Sequence, residues 1–237
     1  MRKNLDKYFQ NYSGIKASVE ERFLTKATLE LVSPLSVNKS VLQMGLGNGI
    51  IARFLDKVVS NQVVIEGSKR ILEEFSFGAK NTKFINSFFE DFTTENKYDL
   101  ILANHVLEHV INPVDVLNHV KNFLTKEGII FITVPNANSI HRLIGVEMQI
   151  IQSKYELHGS DKKAGHRRVY DYQKLEEDIE KASLNIVDSG GYNLKMVSLA
   201  QMKDWPEELL DAIFTVSLSM PKYVPTFGLF VQITIKL

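Results

Sequence analysis

The sequence contains no cysteine. That absence excludes disulfides, thiolate metal ligands and cysteine nucleophiles, and it fits a reducing compartment. Net charge is missing as well: 28 Lys and Arg offset 28 Asp and Glu, and the sequence pI is about 7.0. A chain without a basic excess carries no overall electrostatic footprint for nucleic acid or an anionic membrane surface. No stretch reaches the roughly 18 uninterrupted apolar residues of a membrane span. The start, Met1 to Lys7, lacks the apolar core of a secretory signal. These absences predict a cytoplasmic protein, monomeric or homodimeric, with no nucleic-acid partner and no membrane partner.

What is present suits one α/β domain with a modest elaboration: 44% of the residues are hydrophobic and 24% charged. Repeats, linkers and low-complexity tracts are absent, so residues 1–237 read as a single domain. Apolar runs near 40–45, 61–66, 82–86, 98–103 and 128–134 alternate with helical patterns near 49–59, 68–77 and 113–125. That alternation predicts a doubly wound, mostly parallel sheet. Residues 1–33 have helical spacing, with Tyr8, Phe9 and Tyr12 placed to close over a ligand as a lid. The connection from 136 to 170 is too long for an ordinary loop and too apolar around Leu143 to Ile151 for disorder, which predicts a partly helical cap. A helix near 171–182, a strand from Asn185 to Val187 running into Gly190-Gly191, helices over 198–218 broken near Trp205-Pro206, and a strand from Phe227 to Ile235 complete the chain.

The run Val41-Leu42-Gln43-Met44 leads directly into Gly45-Leu46-Gly47-Asn48-Gly49, and the next apolar run ends in Glu66. A buried first strand followed by glycines lets the backbone turn sharply and approach a ligand closely. An acidic residue at the end of the neighbouring strand lies where open α/β sheets bind ligands, and its carboxylate can accept both hydroxyls of a ribose. The dinucleotide fingerprint requires glycine or alanine at the sixth position of the turn, where this chain has Ile50. An NAD-dependent oxidoreductase is thereby disfavoured.

The pattern Gly45-x-Gly47-x-Gly49 instead resembles the first motif of the Rossmann-like, class I S-adenosylmethionine (SAM)-dependent methyltransferases, a group that includes small-molecule O-methyltransferases. Further segments match in order. Tyr98 to Val110, YDLILANHVLEHV, looks like the family's fourth strand and following loop, and Gly128 to Asn136 like its fifth strand. The resemblance covers about residues 38 to 190. It implies a seven-stranded sheet with an antiparallel C-terminal strand, N-terminal helices and a cap insertion after strand 5. It implies S-adenosyl-L-methionine as cofactor, bound by Gln43, Gly45, Gly47, Asn48, Glu66, Asp91 and Asn104, with Asp91 chosen narrowly over Glu90 for the adenine. One departure stands out: the family usually has Asp or Glu where this chain has Gln43, and an amide accepts a hydrogen bond without offering charge.

The same resemblance places substrate-facing residues at the carboxyl end of strand 4, so His105 is the expected catalytic base. His109, Asn136, His141 and His166 are expected substrate contacts. His105-x-x-Glu108-His109 is also similar to the E-x-x-E-H metal site of some ubiquinone-pathway and small-RNA methyltransferases, with His166 in the place of the remaining histidine. The first ligand position holds His instead of Glu, and L-E-H-V recurs in relatives without metal, so no metal is expected. His141-Arg142 and the basic run Lys162 to Arg168 could meet an anionic acceptor, whereas Arg168 and Tyr170 are better placed for structural duty. The resulting expectation is methyl transfer to a small-molecule acceptor, most plausibly an oxygen of a sugar, lipid precursor or secondary metabolite. The alternatives are an RNA or protein methyltransferase and a catalytically inactive binding protein of the same fold.

Overall fold

The computed structural model describes residues 5–12, 24–197, 199–220 and 226–236. Its strands are β1 (Ser40–Met44), β2 (Asn61–Glu66), β3 (Thr82–Asn86), β4 (Tyr98–Asn104), β5 (Leu124–Pro135), β6 (Leu184–Tyr192) and β7 (Gly228–Ile235). They form one sheet in the order β3-β2-β1-β4-β5-β7-β6, and β7 runs antiparallel to both of its neighbours. The strand order reverses between β1 and β4, so the carboxyl ends of β1, β2, β4 and β5 diverge around a crevice where such sheets bind ligands.

Both faces of the central strands are buried, which is why their sequences read as continuous apolar runs and not as alternation. Leu42, Ile101 and Ile132 face one apolar layer, together with Leu107, Val116 and Leu175. Val41, Leu100, Leu102 and Phe131 face the other, with Val32 and Leu55. The flanking helices are α1 (Lys26–Ser36), α2 (Ile50–Leu55), α3 (Lys69–Phe75), α4 (Pro113–Val120) and α7 (Tyr172–Lys181); helices α5 (Ile140–Glu147) and α6 (Gly159–Ala164) belong to the 136–170 segment. The predicted break at Trp205-Pro206 separates α8 (Leu199–Met202) from α9 (Glu207–Leu218), with Pro206 at the N-cap of α9. Among the described residues, no helix is long and apolar enough to cross a membrane.

Three boundaries differ from expectation. Helix α2 ends at Leu55, several residues early, because Asp56 leaves the helix to accept bonds from the backbone N–H groups of Lys80 and Asn81. Strand β5 begins at Leu124, not 128, and its pairing with β4 shifts register between Tyr98 and Leu100. Gly128 sits at that irregularity, where a Cβ would lie 2.8 Å from the Tyr98 carbonyl oxygen. The third case is β6, which continues through Gly190 and Gly191. Each glycine of the β6–β7 ladder accommodates a ring on the partner strand: Gly190 pairs with Phe230, and Gly228 pairs with Tyr192.

Residues Leu5–Tyr12 form a 3-10 helix instead of an α-helix. The side chains of Phe9 and Tyr12, named above as lid residues, lie outside the described residues. Asp6 accepts from the Ser68 hydroxyl at 2.6 Å and from the Arg70 N–H, so this segment caps α3 from outside.

A Cβ on Gly228 would approach the Tyr192 ring to 2.3 Å. Gly228→Ala is expected to lower stability by about 1–3 kcal/mol, because an overpacked site must shift one strand or turn the ring. Urea unfolding at constant slope would measure it; an unchanged midpoint would show that the ring moves freely.

Candidate active site

The crevice opens into a cavity of about 1190 Å³. Its floor begins at the glycine turn. Gly45, Gly47 and Gly49 all have positive φ, and Gly49 is doubly constrained because a Cβ there would lie 2.8 Å from the Phe75 carbonyl oxygen. A Cβ on Gly45 would meet nothing within 4 Å, so at that position the left-handed backbone alone favours glycine. Glu66, at the end of β2, is 8% exposed and lines the cavity. Its two oxygens accept from the N–H groups of Leu46 at 3.0 Å and Ser68 at 2.8 Å. Burial raises its pKa above the ordinary carboxylate value, against those backbone bonds. An ionised carboxylate offers about four acceptor sites, so two remain for a vicinal diol.

Gln43 is differently employed than expected. Its amide nitrogen donates to the Gly45 carbonyl at 2.8 Å and its oxygen accepts from Gln62 at 2.8 Å. It props the turn from below. Asn48 lines the cavity and its side-chain oxygen accepts from the Ile50 N–H. Asn104 also lines the cavity, with its oxygen accepting from the hydroxyls of Thr133 and Thr28. The choice of Asp91 requires correction. Phe88, Phe89 and Glu90 line the cavity, whereas Asp91 does not, because the turn after β3 directs it away into solvent.

His105 follows β4 at φ +52°, a backbone region that histidine enters more readily than most residues but that is uncommon outside glycine. Its backbone N–H donates to the Thr133 carbonyl at 3.0 Å. Its Nδ1 lies 3.1 Å from a Glu108 oxygen and its Nε2 lies 2.9 Å from the Tyr192 hydroxyl. A carboxylate only accepts, so Nδ1 carries the proton; burial raises the Tyr192 pKa, so the phenol stays protonated and donates to Nε2. Both ring nitrogens of the expected base are therefore engaged within the protein.

Glu108 is fully buried, and its second oxygen has no hydrogen-bond partner. Burial raises its pKa, but the hydrogen bond from His105 and the nearby histidines outweigh it and bring the value to about 2. The ligand atoms of Glu108, His109 and His166 lie within 4.8 Å of one another, and the two imidazole rings meet edge to face. Burial lowers the His109 pKa to about 4, against the opposing pull of Glu108. One His109 nitrogen donates to the Gly165 carbonyl, leaving the other with its lone pair. His166 Nδ1 lies 3.6 Å from an Asp161 oxygen.

His166 comes from far along the chain, and a latch carries it there. The Arg167 N–H donates to the Glu108 carbonyl at 2.8 Å, and its side chain to the His109 carbonyl at 2.9 Å. Arg168 donates to the carbonyls of Leu107, Val110 and Ile111 at 2.6 to 2.8 Å, the structural duty expected of it. Arg142 does not face an acceptor: it is buried and donates to the Lys154 and Glu156 carbonyls and to Asp161, holding the cap together. Asn136 likewise departs from the expected substrate contact, since its amide donates to the Thr226 carbonyl and accepts from the Asn138 N–H. His141 lines the cavity with Nδ1 buried and unpartnered, and burial lowers its pKa to about 3.

Tyr8 and Leu5 close one side of the cavity. A Cβ on Gly165 would lie 2.6 Å from the Tyr8 ring, and one on Gly67 would lie 2.6 Å from Leu5. The N-terminal 3-10 helix thus touches both the cap and the turn after β2. The sequence signal missed here was glycine itself: Gly67 and Gly165 mark the two places where this segment approaches the chain too closely for any side chain.

A family model described as a methyltransferase domain matches residues 17–189. A ubiquinone biosynthesis O-methyltransferase of Vibrio parahaemolyticus is 28% identical over 127 residues, covering 46% of this chain and 54% of the relative. This chain thus spans about half the length of the curated relative it matches. Among solved structures, an S-adenosylmethionine-dependent methyltransferase from Clostridium acetobutylicum aligns with TM-score 0.61 at 14% identity, covering 97% of each chain. A methyltransferase in complex with the Trm112 methyltransferase activator of Haloferax volcanii aligns with TM-score 0.66 at 13% identity, covering 100% of both chains. At such identities the likeness is one of fold.

His109 and His141 are held neutral by burial, whereas in the unfolded chain they titrate near 6.5. The unfolded state therefore binds more protons below about pH 6.5, and stability falls as pH drops from there toward 4. Chemical denaturation between pH 7.5 and 4.5 should show that fall. His141→Leu should reduce it; an identical pH slope in the variant would contradict the assignment.

Proposed function

This chain belongs to the methyltransferase-domain family, and we propose that it transfers a methyl group from S-adenosyl-L-methionine to an oxygen of a small-molecule acceptor bound above Glu108. The observation that carries the acceptor's position is the Glu108 oxygen, buried at the cavity floor without a partner. Leaving a buried acceptor unsatisfied costs about 1–3 kcal/mol, more for a charged group. An acceptor hydroxyl donating to it would remove that cost and hold its oxygen in place.

The residues present fit the cofactor. Glu66 retains acceptor capacity for a ribose, the turn at Gly45 opens into the cavity, and Phe89 and Glu90 lie where an adenine would meet the chain. Methyl transfer is an in-line displacement: the acceptor oxygen forms a bond to carbon as the sulfonium bond breaks, and the acceptor proton leaves. The dominant contribution is alignment, which can supply roughly 7–11 kcal/mol of barrier reduction. As the new bond forms the oxygen becomes strongly acidic, so a weak base suffices to take its proton. His109, neutral at pH 7 with one lone pair in the cluster, is that base in place of His105.

A second reading concerns the same cluster. The fixed tautomer of His109, the carboxylate beside His166 and the unpartnered Glu108 oxygen form a set of two imidazoles and one carboxylate, a donor set suited to a divalent transition metal. Such an ion would polarise the acceptor oxygen as a Lewis acid. Glu108, His109 and His166 would hold it, with His105 only orienting Glu108.

Calorimetric titration with S-adenosylhomocysteine tests the cofactor. Glu66→Ala should weaken binding by about 1.5–3 kcal/mol through loss of a charged acceptor. Because burial raises the Glu66 pKa, wild-type affinity should decline on acidification sooner than an ordinary carboxylate would dictate. No binding by the wild-type chain would remove the reading. The metal is tested by thermal unfolding with Mn²⁺ or Zn²⁺: a rise in Tm that His166→Ala abolishes is expected, and an equal rise in the variant would place the ion elsewhere.

A further inference from the structure

The depth of the cavity is polar, but its mouth is not. Ile111, Ile144, Met148, Ile150 and Met196 line it while remaining 43% to 63% exposed. Singly exposed apolar residues are normal on any protein and need no explanation. Here five of the eleven exposed large hydrophobics among the described residues share one rim, and they arrive from three segments: the loop after β4, the α5 region, and the stretch beyond β6. Chance scatter does not converge in this way.

The rim is continuous with the cavity in which the acceptor would sit, so its natural occupant is part of that acceptor. Size agrees, since about 1190 Å³ exceeds the roughly 300–1,000 Å³ of a typical small-ligand pocket. Charge separates this occupant from a lipid surface. Asp115 lines the same cavity as Arg167 and Lys195, giving mixed signs, whereas a face built for anionic headgroups is predominantly basic.

Resting on the methyl-transfer reading, we propose that the acceptor is an amphiphile: its hydroxyl-bearing head reaches Glu108, and an aliphatic chain leaves across Ile111, Ile144, Met148, Ile150 and Met196. The chain length of the acceptor then sets affinity. The probe is a series of 4-alkylphenols from methyl to octyl, titrated calorimetrically into the full chain saturated with S-adenosylhomocysteine. Affinity should tighten roughly twofold to fourfold per methylene, as expected for apolar surface leaving water. Met148→Asp and Ile150→Asp should flatten the series while leaving S-adenosylhomocysteine affinity unchanged.

A flat series in a wild-type protein that binds S-adenosylhomocysteine would overturn the proposal and leave methyl transfer standing. A slope that survives in both variants would overturn it as well, by moving the chain off this rim. Co-sedimentation with phosphatidylcholine vesicles together with a flat series would assign the face to a lipid surface instead. Failure to bind S-adenosylhomocysteine would remove the methyl-transfer reading and this proposal with it.

Discussion

A carboxylate kept from water has to be matched on every side, and much of this site is arranged around Glu108. His105 donates to one of its oxygens, and that bond requires the left-handed backbone at His105. Tyr192 then fixes the His105 tautomer from behind, and Gly228 leaves room for the Tyr192 ring. The Glu108 backbone carbonyl is equally committed, since it accepts from Arg167 and so draws His166 toward the second oxygen. The charge thus sets the conformation of the β4 loop, the position of the cap and the packing of the β6–β7 ladder. Breaking a buried charge pair by removing one partner commonly costs about 3–5 kcal/mol, which is why these elements are coupled and not merely adjacent.

The cavity separates two kinds of recognition. The β1 and β2 ends use backbone and a single carboxylate, rigidly held by Leu46 and Ser68, and suit a ligand of fixed shape. The opposite wall is assembled from the cap, whose helices α5 and α6 are tied by Arg142 to carbonyls and to Asp161. One arginine satisfies several backbone groups at once, so the remaining cap residues are under little constraint to fold it. They are correspondingly available for apolar contact at the mouth.

The strands were legible because a parallel sheet buries both faces, and Val41-Leu42-Gln43-Met44 carries that signature without ambiguity. The glycine turn and Glu66 were legible because positive φ and a terminal carboxylate each demand particular residue types. Asp91 was misplaced because neighbouring acidic residues in a turn differ only in direction, which local composition does not encode. The use of Asn136 for backbone bonds, and of Arg142 for the cap, were hidden for a related reason: polar side chains that serve distant carbonyls look identical in sequence to those that serve a ligand. His166 meets His109 through a latch of arginines reaching across more than fifty residues of chain, a relation that no spacing rule contains.

Gln43 bears on whether the site is intact. A carboxylate at this position could not donate, and would set its charge against the Gly45 carbonyl that the amide now satisfies at 2.8 Å. The amide is also one member of a directed chain: the Thr82 hydroxyl lies within hydrogen-bond distance of both Gln62 and Asp56, Gln62 donates to Gln43, and Gln43 donates to Gly45. Gln62 and Gln43 are each nearly fully buried, so every link replaces a desolvation cost. A decayed pocket would leave such groups unpartnered. Here the glutamine braces the turn at the one carbonyl that a positive φ turns inward, and the departure from the family's acidic residue reads as a different support for the same loop, consistent with a binding site that still works.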